Sequence, residues 1–268
     1  MTVRILTHFL AISFGLTWGV AALILLFPDR AAALFGEMSG HNPLFILLVY
    51  SPGFAGAFLV WRRFGVQGLG SFFRRLTLWR APAGWWLFLL LGIPAVFYAG
   101  AAITGTISEP FPFEPWHQVF PVLAAALFLG PIEEFGWRGL ALPLLQRKFS
   151  PLLAGLILGG IWGIWHIPAF VMSGTLQSTW SFAPFFIGVV AISVILTPLF
   201  NASRGSLLIA VLYHFQMMNP IWPDAQPWDY AIFTAAAIVA VWLNRETMLR
   251  RGSGVTEILT PGYTSKTS

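Results

Sequence analysis

The sequence predicts an all-α, polytopic membrane protein with about eight transmembrane helices. Three observations carry this. Hydrophobic residues make up 57% of the 268 residues and charged residues only 9%, against about 25% charge in an ordinary soluble domain. Apolar runs long enough for a helical crossing recur between short polar loops. The basic residues gather in alternate loops, as they do when those loops share the cytoplasmic face. Mean hydropathy is +0.76. The sequence has no cysteine, which excludes disulfides and thiolate chemistry.

The spans are expected in this order. The first covers about 9–27 and stops at Pro28 and Asp29. Its flank has Arg4 alone and no small-residue cleavage site, so it is read as a retained span rather than a signal peptide. The second covers about 43–61 and crosses Ser51-Pro52-Gly53, a candidate kink. Arg62, Arg63, Arg74, Arg75 and Arg80 follow with no acid among them, the strongest topology signal in the chain. The third covers about 83–107. The next loop holds Glu109 and Glu114 and no Lys or Arg, which suits the outer face. The fourth, about 118–146, ends at Arg147 and Lys148. The fifth covers about 151–172, and the sixth, about 182–200, ends near Arg204. The seventh, about 205–218, and the eighth, about 230–243, are shorter than a standard crossing and suit tilted or protein-buried helices. Asp224 and Asp229 precede the eighth, and Arg245, Arg250 and Arg251 follow it.

Alternating these spans puts every basic cluster on one face and both termini in the cytoplasm of a multi-pass cell-membrane protein. A single transmembrane domain is expected over 1–251. A loose cytoplasmic tail, rich in Gly, Ser and Thr, is expected over 252–268. The lipid bilayer is the expected surrounding partner. A nucleic-acid partner is excluded for want of a folded basic surface, since the arginine loop more simply meets anionic lipid. Trp79, Trp85, Trp86, Trp116, Trp180, Trp222 and Trp228 lie near span ends, as an interfacial belt does. Trp137, Trp162 and Trp165 flank polar residues instead, and suit either a dry wall or core filling.

The chemistry centres on PIEEFGWRG, residues 131–139. Glu133, Glu134 and Arg138 interrupt an otherwise apolar run. Ionisable groups at membrane depth are costly, so they need partners and a purpose. On a helix Glu134 and Arg138 are four apart and face one another. Glu133 points about 100° away and is left for another partner. His166 and His214 lie inside spans five and seven, whereas His8, His41 and His117 fall at segment ends or in loops. Glu133 and His166 are equally far in sequence from the turn at Phe149 and Ser150, so an antiparallel helix pair holds them at one level. His214 starts about 10 Å shallower, a gap that tilt can close.

A carboxylate and two imidazoles in a dry cavity can bind zinc or a similar divalent ion. They can activate water with the glutamate as base, or relay protons. No H-E-x-x-H or G-x-S-x-G pattern is present. The competing classes are a proton-coupled carrier, although no inverted repeat is evident, and a non-catalytic membrane scaffold.

Glu133-Glu134-x-x-x-Arg138 resembles the first motif of the CPBP intramembrane metalloprotease family, which includes Rce1-type CAAX prenyl endopeptidases and bacterial Abi proteins. The second family motif, Phe-x-x-x-His, is similar to Trp162-Gly163-Ile164-Trp165-His166, with Trp for Phe. A segment like Asn-x-x-x-Gly-Ser-Leu matches Asn201 to Leu207 and leads to His214. The likeness covers about 119–219. It implies an Rce1-like protease core and an intramembrane endopeptidase acting on a peptide or membrane-protein substrate. It implies Glu133 as general base, His166 as its partner on the water or metal, and His214 facing the oxyanion. Arg138 is implied to brace Glu134. A divalent metal, most simply zinc on Glu133, His166 and His214, is implied by the family's name. The family's late motif is His-x-x-x-Asn. Here Met218 stands at the asparagine position and Asn219 follows one residue later, about 100° round a helix. A thioether donates no hydrogen bond, so Asn219 is the candidate for that role.

Overall fold

The computed structural model describes residues 2–36, 42–108, 110–173 and 175–263, so His41, Glu109 and the last five residues lie outside it. The described residues form helices and turns with no strand. Among the described residues six helices are long and apolar enough to cross a membrane: α1 (Thr2–Leu26), α2 (Pro43–Thr77), α3 (Ala83–Thr104), α4 (Trp116–Gln146), α5 (Pro151–Val171) and α6 (Phe182–Ala202). Two shorter apolar helices follow, α7 (Leu207–Met217) and α8 (Trp228–Leu243). The chain is a multi-pass membrane protein by these helices. A short helix, Pro28–Phe35, follows α1.

α6 is the most enclosed helix and packs between α5 and α8. α1 lies on α2, and α2 crosses the Glu133 region of α4. That crossing is close because small residues line it. A Cβ added at Gly136 collides with the Pro52 backbone, and one at Gly56 collides with the backbone of Phe135 and Gly136. Small residues at such crossings let membrane helices approach backbone to backbone.

Two prolines remove backbone donors within the helices, and side chains from neighbours take their place. Pro52 has no N–H for the carbonyl of Leu48, and Thr17 Oγ1 donates to it at 2.7 Å. Pro143 likewise offers nothing to the carbonyl of Gly139, and Arg75 Nη1 donates there at 2.8 Å. Each such bond ties one helix to another.

Two differences from the sequence reading stand out. The arginine-rich stretch after position 61 is largely helical, continuing α2 to Thr77 across a break at Gly65 (φ 65°). Glycine tolerates that left-handed geometry, so the helix turns rather than ends. The tail is not loose over 252–263. Val255 N donates to Asn201 Oδ1 (2.9 Å), and its carbonyl accepts from Gln146 Nε2 (2.9 Å). Arg75 Nη1 donates to Ile258 O (2.8 Å). Ile258 is itself buried. The glycine- and serine-rich composition hid this, because the segment docks through its backbone.

Candidate active site

α4 is not a uniform helix. It passes from α-helix (Val119–Phe128) through a 3₁₀ turn (Gly130–Glu133) into a π-helical turn (Trp137–Ala141). Pro131 removes a donor at the first break. Changes of winding of this kind are frequent at functional sites. Here they bracket Glu133 and Glu134, both buried.

Glu134 is the hub. Its Oε1 accepts from Arg138 Nη1 at 2.9 Å and from His214 Nδ1 at 2.7 Å. Arg138 is fully buried, and its guanidinium carbon lies 4.4 Å from the Trp162 ring centroid, a cation–π contact. Since a carboxylate only accepts, Nδ1 of His214 carries a proton. Its Nε2 therefore points to the other glutamate, 3.7 Å from Glu133 Oε1. That is too long for a direct hydrogen bond and suits a bridging water. The other carboxylate oxygen, Glu133 Oε2, accepts from the indole Nε1 of Trp137 (3.1 Å) and of Trp162 (2.8 Å).

His166 ends the regular part of α5. Its Nδ1 donates to the Trp162 carbonyl at 2.7 Å, which leaves Nε2 as the open nitrogen. Its ring and that of His214 each lie 5.5 Å from the Trp162 ring. Trp162, rather than His166, is thus the α5 residue that touches Glu133. Trp162 precedes His166 by four residues, one helical turn. His8 and His117 are exposed.

The motif 201–207 acts at a distance. Asn201 exchanges hydrogen bonds with Gln146 at the end of α4 (2.7 and 3.0 Å). Gly205, at φ 78°, makes the left-handed turn that glycine permits. Ser206 then caps α7 by accepting from Ile209 N at 3.0 Å. This sets the start of the helix that carries His214.

Asn219 lies in the turn beyond α7. α7 ends at Met217, and beyond it the Asn219 amide donates to Gln216 Oε1 (3.2 Å) while its oxygen accepts from Ile221 N (3.2 Å). Both groups serve the turn, and neither bonds to Glu133. Met218 is 45% exposed and would crowd any side chain added at Gly130.

Sequence reasoning set Trp137 and Trp162 beside the polar residues, as a dry wall or core filling, and missed their hydrogen bonds to Glu133. A signal was present for the first, which lies four residues after Glu133 on the same helical face. The zinc set is also not assembled. Among the described residues no three His, Cys, Asp or Glu side chains are grouped to hold a metal ion. Glu133 Oε2 faces two N–H donors instead.

Comparison with known proteins agrees with this layout. Residues 115–219, which contain Glu133, Glu134, Arg138, His166 and His214, match the family described as type II CAAX prenyl endopeptidase Rce1-like. That segment is similar to the Rce1-like family. A relative, CAAX prenyl protease 2 of Methanococcus maripaludis, is 31% identical over 140 residues, 50% of each chain. The chain thus spans about half the length of the curated relative it matches. The matched segment begins just before α4 and closes just after α7. The tryptophans on Glu133 fall inside it.

Proposed function

We propose that this protein is an intramembrane endopeptidase that hydrolyses a peptide bond with a water activated by Glu133. One observation carries the reading: the buried 3.7 Å gap between Glu133 Oε1 and His214 Nε2. Two polar atoms at that spacing can share one water, each at ordinary hydrogen-bond distance. Glu133 takes a proton from this water as its oxygen attacks the scissile carbonyl carbon. The C–N bond then breaks, and Glu133 returns the proton to the departing amine. His214, held through Nδ1 by Glu134, presents Nε2 to the same gap. When that nitrogen carries a proton it donates to the developing oxyanion, where electrostatic stabilisation counts most. Arg138 is engaged with Glu134 and so leaves Glu133 free to act as base.

The substrate class is a peptide or a membrane-protein segment, in keeping with the family. The arrangement that supports this reading uses side chains alone, and no step passes through a metal. Eight crossings with cytoplasmic termini in the cell membrane complete the proposal, since that topology puts the basic clusters on one face.

The test is hydrolysis of internally quenched peptides by purified protein in detergent. H214A is expected to lower kcat by at least about 10²-fold, and H117A to leave it within about twofold. The same assay repeated with chelator, then with added zinc, is expected to give one rate throughout. A chelator-sensitive rate restored by zinc contradicts the side-chain mechanism.

A further inference from the structure

The two oxygens of Glu133 are not equivalent. Oε2 accepts from two indoles, at 3.1 and 2.8 Å. Oε1 faces His214 Nε2 across 3.7 Å. A carboxylate oxygen has two lone-pair sites, so two N–H donors fill Oε2. We propose that Trp137 and Trp162 are positioning residues that reserve Oε1 as the one oxygen of Glu133 that takes and returns the proton. This rests on the reading of Glu133 as the base.

The chemistry follows from occupancy. A proton on Oε2 has to point at an indole N–H and break at least one of the two bonds. A proton on Oε1 breaks neither. In the first half-reaction the water O–H bond breaks, Oε1–H forms, and the water oxygen bonds to the carbonyl carbon. In the second the C–N bond breaks and the amine nitrogen takes the proton from Oε1. The proton therefore stays on the side of Glu133 that faces His214 between the two steps.

Trp162 is fixed from two directions for this task. Its ring lies under the Arg138 guanidinium (4.4 Å), and Arg138 also holds Glu134 (2.9 Å). One indole thus links both glutamates. The phenylalanine of the family motif at this position keeps a ring for Arg138 but has no N–H for Glu133. Trp165, three residues on, gives its indole to Thr17 Oγ1 at 2.9 Å and so serves packing. Two tryptophans aimed at one carboxylate oxygen are not explained by core filling.

The decisive experiment is side-chain ¹H–¹⁵N spectroscopy of the full chain in micelles, with indole signals assigned by W137F, W162F and W165F. In E133Q the acceptor loses its charge, so the Trp137 and Trp162 Nε1–H signals are expected to shift upfield together. The Trp165 signal is expected to stay in place. Kinetics accompany it: W162F is expected to lower kcat about 10- to 10²-fold with KM unchanged, the range for a lost hydrogen bond to a charged group. It is also expected to displace the acid limb of the pH profile, which a packing role leaves unmoved. Indole signals that ignore E133Q, or a W162F enzyme with wild-type kcat and pH profile, overturn the inference. Loss of activity in E133Q with unresponsive indoles sinks this inference alone. Coupled indoles with a fully active E133Q sink the protease reading instead.

Discussion

His214 on α7 and Glu134 on α4 are joined by a hydrogen bond of 2.7 Å, and the oxygen that accepts it also accepts from Arg138 at 2.9 Å. The catalytic candidate on α7 is therefore aimed by a buried ion pair on α4. Removing one member of such a pair leaves an uncompensated buried charge, which costs about 3–5 kcal/mol. R138L is expected to lower the unfolding free energy in detergent by about that amount, read from denaturant or thermal melts. A variant as stable as wild type shows that Arg138 does not hold Glu134.

Asn219 and Met218 separate two accounts of the α7 end. The Asn219 amide is turned to Gln216 and the Ile221 N–H. N219A is therefore expected to reduce kcat by less than tenfold. Loss of about 10²-fold or more, the scale of a missing oxyanion donor, places Asn219 in the chemistry and contradicts the turn geometry.

Much of the helical layout is legible in the sequence. The Glu134–Arg138 pair follows from a spacing of four, and the different direction of Glu133 follows from the next position. Pro52 is read as a candidate kink, yet the helix continues through it and turns at Gly65 instead. The repairs are not legible, because Thr17 and Arg75 satisfy backbone carbonyls, which have no signature of residue type. The docked segment around Val255 and Ile258 is hidden for the same reason. Trp162 was obscured by its own apolar bulk. An indole serves packing and hydrogen bonding alike, and only the neighbouring carboxylate decides between them.

The C-terminal segment yields a stability prediction. Removing everything after Arg251 deletes the bonds from Arg75, Gln146 and Asn201 to Val255 and Ile258. At about 1 kcal/mol for a typical bond, Tm in detergent is expected to fall by at least roughly 5 °C. An unchanged Tm shows that the docking contributes nothing.

Topology can be tested against a clean background, since the chain has no cysteine. Gly70 and Pro112 are both exposed. G70C and P112C are expected to react with an impermeant thiol reagent from opposite faces of the membrane. Labelling of both from one face contradicts the proposed eight crossings.

The central claim is that Glu133 moves the proton. E133Q preserves the shape of the side chain and removes the base, and a neutral amide is less costly to bury than a charge. The most direct measurement is kcat of folded E133Q beside wild type on the same quenched peptide in micelles. A fall of at least about 10²-fold is predicted, and full activity in E133Q that melts like wild type contradicts the account.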